Sequence, residues 1–154
     1  MVPRRRSTIS RKLERQLAAE LFNHTWDLLA RKRRTKSEND EMLHAAHASR
    51  YHWGRVGTPL NLSIAEWQVS RVYAVLGRPE PALVHALRCL EIARRSRLGR
   101  FYLAYAHEGI ARAHALAHQA RERDRHLREA RRLGLAISDA DDRTMLFQDL
   151  STIR

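Results

Sequence analysis

The stretch EWQVSRVYAVLGRPEPALVHALRCL, residues 66–90, decides the fold of this chain. Its apolar residues recur at intervals of three and four, which is the period of an amphipathic helix. Gly77 interrupts the pattern, and Pro79 and Pro81 follow where a new helix can begin, because proline is tolerated in the first helical turn. The stretch therefore predicts two helices joined by a tight turn.

The same unit recurs along the chain with a period of about 41 residues. Trp26 and Trp67 are separated by this offset, and it aligns further residues of similar character. The aligned columns are Leu21, Leu62 and Leu103; Leu28, Val69 and Ile110; Leu29, Ser70 and Ala111; Ala45, Ala86 and Leu127; Ala48, Cys89 and Ala130; and Tyr51, Ile92 and Leu133. One helix pair cannot bury its apolar stripe alone, so the periodicity predicts that neighbouring pairs stack.

The middle unit resembles the tetratricopeptide repeat. That pattern has a large–small pair, an aromatic residue and a glycine, followed by small residues in the second helix. The matching residues here are Val69, Ser70, Tyr73, Gly77, Ala82, Ala86, Cys89 and Leu90. The third unit departs from it, with His118 in place of the glycine and Arg123 in place of the alanine, and the period exceeds the usual ~34 residues. The resemblance implies an all-α fold, a right-handed solenoid of three helix-pair repeats with a C-terminal capping helix. The expected spans are 13–53, 58–97 and 100–135 for the repeats and 139–152 for the capping helix.

Local signals predict where individual helices begin and end. Helix 1 is expected over about 10–33, where a basic cluster ends it. Ser37, with Asp40 three residues later, is the predicted cap of helix 2. Thr58 followed by Pro59 is the predicted cap and first position of helix 3.

The two ends of the chain have separate predictions. Residues 1–9 are expected to form a basic disordered tail and residues 10–154 a single domain. Ser138 is the predicted cap of the last helix. Four apolar residues of that helix are expected to cover the open end of the stack. They are Met145, Leu146, Leu150 and Ile153.

Composition narrows the class of protein. The 154 residues carry 29 Lys+Arg against 17 Asp+Glu, a formal charge of +12, which favours an acidic partner. No apolar run approaches the ~18 residues of a membrane span, and no apolar segment of a secretory leader follows the basic start. The only cysteine, Cys89, excludes an intrachain disulfide framework and suits a reducing compartment. We therefore expect a cytoplasmic protein of bacterial type, without a membrane partner.

The tetratricopeptide register implies a concave groove lined by the first helix of each pair. Tryptophan beside arginine could grip an extended peptide or a planar anion there, because guanidinium pairs bidentately with carboxylate or phosphate. The alternative is that both tryptophans pack between the repeats. The candidate ligand-binding residues are Asn23, Trp26, Asp27, Trp67, Arg71, Tyr105, Glu108 and Arg112.

The second helix offers a candidate metal site. Asp40, His44 and His47 are spaced so that they share one helical face. However, His44 aligns with His85 and His126 in the repeat, as an exposed face would, and Asp40 has a capping role. The sequence therefore predicts no metal and no other cofactor, with this trio kept only as an alternative.

His52 is the unusual histidine, because its column otherwise holds the small residues Ala93 and Gly134. A histidine there is expected to be buried with a hydrogen-bond partner, for which Glu66 and Asp27 are candidates. If the protein is an enzyme, the acid–base candidates are His52, Glu66, Tyr105, His107 and Glu108.

The sequence favours a scaffold that binds a peptide or protein in the first-helix groove, without enzymatic activity. A small helical enzyme or a metabolite-binding protein that uses the same groove, with or without a metal, is the main alternative. Nucleic-acid binding is the third possible function, suggested by the basic runs at Arg4 to Arg6 and Arg31 to Lys36. It ranks last because these runs lack the aromatic residues that usually accompany such binding. Open-ended solenoids often pair through their exposed end faces, so the expected fold is compatible with a homodimer.

Overall fold

A computed structural model of the chain describes residues 8–154. Within this range the chain is all-helical, with seven helices and no strand. None of these helices has the length and hydropathy to span a bilayer. Most of the predicted basic tail, residues 1–7, lies outside the described part. The helices are α1 (Arg11–Leu29), α2 (Lys36–Val56), α3 (Pro59–Val75), α4 (Pro79–Arg95), α5 (Arg100–Leu116), α6 (Ala120–Leu135) and α7 (Ala140–Ser151).

Neighbouring helices pack in pairs. The most extensive contacts join α1 to α2, α3 to α4 and α5 to α6, and further contacts join α2 to α3 and α4 to α5. The first helices of the pairs also meet one another, since α3 contacts both α1 and α5. Side chains from α1, α3 and α5 are therefore brought onto a common region of the protein.

In three of the six aligned columns, all three residues have the same degree of burial. Leu28, Val69 and Ile110 are 1%, 0% and 0% exposed. Leu28 and Val69 share one core cluster with residues of α2, and Ile110 packs with residues of α4, so this column joins neighbouring pairs. Small residues let the paired helices approach closely. Ser70 on α3, for example, donates to the carbonyl oxygen of Ala82 on α4 at 2.8 Å. The column of Tyr51 departs from the pattern, because that ring is exposed.

Helix starts follow local capping chemistry. The predicted cap at Ser37 is wrong: Thr35 caps α2, and its backbone N–H donates to Oε2 of Glu38 at 2.7 Å while its hydroxyl accepts from the Glu38 N–H at 3.1 Å. This reciprocal Thr-x-x-Glu box satisfies two helix-end donors at once. The cap at Thr58 with Pro59 in the first turn is confirmed. The last helix is capped by Asp139, whereas Ser138 was predicted.

Three helices end in the same left-handed turn. Gly77, Arg97 and His118 have φ angles of 69°, 51° and 57°, and they follow α3, α4 and α5. At each end two backbone N–H groups return to carbonyls of the last turn, as when Arg78 donates to Tyr73 and Gly77 to Ala74. This is the Schellman arrangement, which favours glycine. His118 occupies it at the position corresponding to Gly77, so the turn forms there without glycine.

The C-terminal helix α7 packs against α5 and α6. Leu146, Leu150 and Ile153 are buried with Ala104 and neighbouring residues of the α5–α6 pair, as predicted, while Met145 is exposed. The close approach requires Gly134, because a Cβ at that position would lie 2.7 Å from Cδ2 of Leu146.

Candidate functional site

Aromatic side chains from the first helices of the three pairs form a continuous cluster. The rings of Trp26 on α1 and Trp67 on α3 have centroids 5.7 Å apart, and Trp67 meets Tyr105 on α5 edge to face at 5.4 Å. Phe101, one turn before Tyr105, extends the cluster at 4.9 Å. The 41-residue offset explains the arrangement, since it places Trp26 and Trp67 at corresponding positions of neighbouring helices.

These rings line a cavity of about 190 Å³, which we call the aromatic pocket. Its wall is almost wholly apolar, although Asp149, Ser63, Tyr102 and Tyr105, whose side chains carry polar groups, are among the lining residues. The lining residues are Trp26, Ser63, Ile64, Trp67, Cys89, Phe101, Tyr102, Tyr105, Met145 and Asp149.

A fully buried carboxylate holds the pocket wall in place. Glu108, which is 0% exposed, accepts a hydrogen bond from Nε1 of Trp67 at 2.9 Å and one from Nε of Arg112 at 2.7 Å. Arg71 approaches the same carboxylate at 3.4 Å. Burial and the neighbouring Arg112 charge lower the pKa of Arg71. The two guanidinium groups thus compensate a buried negative charge.

The pocket is closed on one side by α7. The Tyr105 hydroxyl donates to Oδ2 of Asp149 at 2.9 Å, and Arg112 donates to the Asp149 carbonyl oxygen and to the Thr152 hydroxyl. Burial, together with the Asp149 charge, raises the pKa of Tyr105 far above its usual range, so the hydroxyl keeps its proton as a donor. The network therefore ties the C-terminal helix to the first helices of pairs two and three.

The predicted groove residues divide into three groups. Trp26, Trp67 and Tyr105 line the aromatic pocket, and Arg71, Glu108 and Arg112 form the network behind it. Asn23 instead lines a separate small cavity, and Asp27 is exposed. Sequence reasoning missed Phe101, Tyr102 and Met145, although the aromatic pair at the start of α5 was a usable signal.

The five residues considered for acid–base catalysis lie in separate networks. His52 bonds to Oε2 of Glu14 at 2.8 Å, a partner that the sequence analysis did not consider. Tyr105 and Glu108 belong to the pocket network. The remaining two bond elsewhere: Glu66 to His85 and Arg50, and His107 to His126. The structure therefore does not gather this set around one reacting centre.

Glu66 belongs to a buried cluster between α2, α3 and α4. Its carboxylate accepts from Nε of Arg50 and lies 2.6 Å from Nδ1 of His85, and His47 bonds to the Tyr73 hydroxyl at 2.9 Å. Burial alone would raise the pKa of Glu66, but the bonds from His85 and Arg50 outweigh it and lower the pKa. The carboxylate is therefore ionised and orients the His85 ring.

The metal alternative on α2 does not assemble. Asp40, His44 and His47 do not bring three ligand atoms within reach of one ion. Asp40 and His44 are exposed, while His47 is half-buried against Tyr73. The three residues do not share one exposed face of α2, because the His47 side chain turns inward.

The basic run between α1 and α2 is partly structural. Arg34 donates to the carbonyl oxygens of Leu28 and Arg31 and to Oδ1 of Asn39, so it adds hydrogen bonds to carbonyls at the end of α1. Arg31 pairs with Glu38. The run at Arg4 to Arg6 lies outside the described residues.

Comparison of the chain with family models, with curated proteins and with solved structures finds no match.

Proposed function

We propose that this protein is a binding module that takes an apolar or aromatic side chain of a partner peptide into the aromatic pocket. The three helix pairs would act as successive units of a tetratricopeptide-like solenoid that presents its first helices to the partner. The observation that carries the proposal is the cavity formed by Trp26, Trp67 and Tyr105 from three different helices.

The size and chemistry of the pocket support a side-chain anchor. Its volume of about 190 Å³ is below the ~300 Å³ at which pockets for drug-sized ligands begin. Trp26 remains 39% exposed although it packs on Trp67, so a ring edge is available to a partner. Aromatic anchors in such pockets dominate the energy of many protein interfaces.

The charges of the site favour an apolar ligand over an anion. Arg71 and Arg112 were candidate anion anchors, but both are held by Glu108 and by groups of α7. Drawing either guanidinium toward a ligand would leave Glu108, a buried carboxylate, short of partners, which is costly. The two arginines therefore shape the pocket wall, and the binding energy would come from apolar burial.

Selection from a random peptide library displayed on phage tests the proposal directly. We expect selected peptides to share one large aromatic or aliphatic residue, and titration calorimetry to show that Trp26→Ala weakens them at least about tenfold. Tyr51→Ala is the matched control, since it removes an exposed ring of α2 that does not line the pocket. Failure to select any peptide, or equal binding by the two variants, would refute the proposal.

A small apolar metabolite is the second candidate for the same pocket. The paired Tyr105 hydroxyl and Asp149 carboxylate could orient one polar group of such a ligand. Indole is a suitable probe. If indole binds saturably at micromolar concentration and the phage library yields no peptide, the metabolite-binding function is favoured.

A further inference from the structure

A second cluster of functional side chains lies on the α5–α6 pair, outside the aromatic pocket. His114 in the last turn of α5 and Glu122 and His126 on α6 each offer a ligand atom, and these atoms lie within 4.8 Å of one another. Glu122 and His126 are four residues apart, so they share one face of α6. All three residues are half-buried.

The imidazole rings of His114 and His126 each form a hydrogen bond through Nδ1. Nδ1 of His114 lies 2.6 Å from Oε1 of Gln119, and since an amide oxygen only accepts, Nδ1 carries the proton. The lone pair of Nε2 is then free. Nδ1 of His126 bonds to Nδ1 of His107 at 2.8 Å, with the two rings stacked. Metal-binding histidines almost always donate their second ring N–H to an oxygen acceptor, as His114 does to Gln119.

We propose that His114, Glu122 and His126 bind a divalent transition-metal ion of the Zn²⁺ class. Two imidazoles and one carboxylate are a donor set that suits zinc, and three protein ligands leave a coordination position for water or for a ligand from a partner. Gln119 and His107 are the positioning residues that fix the two rings.

The charges around the cluster modulate the site. Arg125 and Arg94 lie close enough to act on His126, and NH1 of Arg125 also approaches Oε2 of Glu122 at 3.5 Å. A cation bound there competes with Arg125 for the Glu122 carboxylate. Removing this arginine should therefore strengthen metal binding, whereas a purely structural role of the cluster predicts no such gain.

Titration calorimetry of ZnCl₂ into untagged protein, freed of metal with a chelator, tests the site. We expect one ion per chain. Glu122→Gln and His114→Ala should weaken binding at least about tenfold, because even loss of a residue that supports a ligand has an effect of this size. Gln119→Ala should weaken it through the His114 ring. Arg125→Gln should tighten it.

Two variants at other sites serve as matched controls. His44→Ala and Glu91→Gln remove an exposed histidine and an exposed carboxylate elsewhere, and they should leave the affinity unchanged. Because the Glu122 side chain is 41% exposed, its variant should fold, which circular dichroism would verify. Absence of binding at 100-micromolar order, or equal affinity of Glu122→Gln and Glu91→Gln, overturns the proposal.

Discussion

The indole Nε1 of Trp67 donates a hydrogen bond of 2.9 Å to Oε2 of Glu108, and the two residues occupy corresponding positions, 41 residues apart, on α3 and α5. The position that holds the tryptophan in the second helix pair thus holds, in the third pair, the glutamate that accepts its hydrogen bond. This bond joins the apolar pocket to the charged network behind it.

Replacing the buried carboxylate should destabilise the fold. Glu108→Gln leaves Arg71 and Arg112 without their shared negative charge, so we expect the free energy of unfolding to fall by about 2–4 kcal/mol. Urea denaturation would measure the change. Glu91→Gln, which alters an exposed pair with Arg95, should change stability by no more than about 0.5 kcal/mol. A loss no larger than in this control would contradict the structural role of Glu108.

The single thiol should be inert in the folded protein. Cys89 is 2% exposed, and burial raises its pKa to about 12, so the thiol stays protonated at pH 8 and is out of reach of a reagent. A disulfide reagent should therefore modify Cys89 in urea but not under native conditions. Native modification faster than global unfolding would show that the thiol is accessible.

The left-handed turn after α5 offers a stabilising change. His118 has a φ of 57°, a conformation that costs a non-glycine residue about 1 kcal/mol. We expect His118→Gly to raise the melting temperature, with a gain of up to about 1 kcal/mol. The matched variant is Gly77→Ala in the corresponding turn, where open space leaves backbone strain as the main effect, so its melting temperature should fall. The two variants must change the melting temperature in opposite directions; a change in the same direction would contradict the prediction.

The capping box of α2 can be tested by two neighbouring substitutions. Thr35→Ala removes the hydroxyl that accepts from Glu38 and should cost about 1 kcal/mol of stability. Ser37→Ala, in the first turn of the helix, should be nearly neutral, since alanine is a good helix former. If Ser37→Ala were the more harmful change in thermal unfolding, the helix would begin at the later cap.

Part of the site followed from the sequence register. The 41-residue offset identified Trp26, Trp67 and Tyr105 as candidates for one surface, and these residues do line one cavity. The offset could not assign Arg71 and Arg112, because a long side chain on the correct helical face can still turn toward a buried carboxylate. Nor could it place Met145 and Asp149, which depend on how α7 packs.

The sequence by itself determined the helices and many of their ends. Thr58 with Pro59, Gly77 and Pro79 act through backbone geometry and nearby hydrogen bonds, so their effect is readable within a few residues. Only the tertiary structure decided which charged and polar side chains meet. The donors described above for Glu14, Glu66 and Glu108 lie between four and 41 residues away along the chain. Arg112 lies one helical turn after Glu108, so that pair is local. The other donors reach these buried carboxylates only through helix packing, and no local sequence pattern encodes that choice.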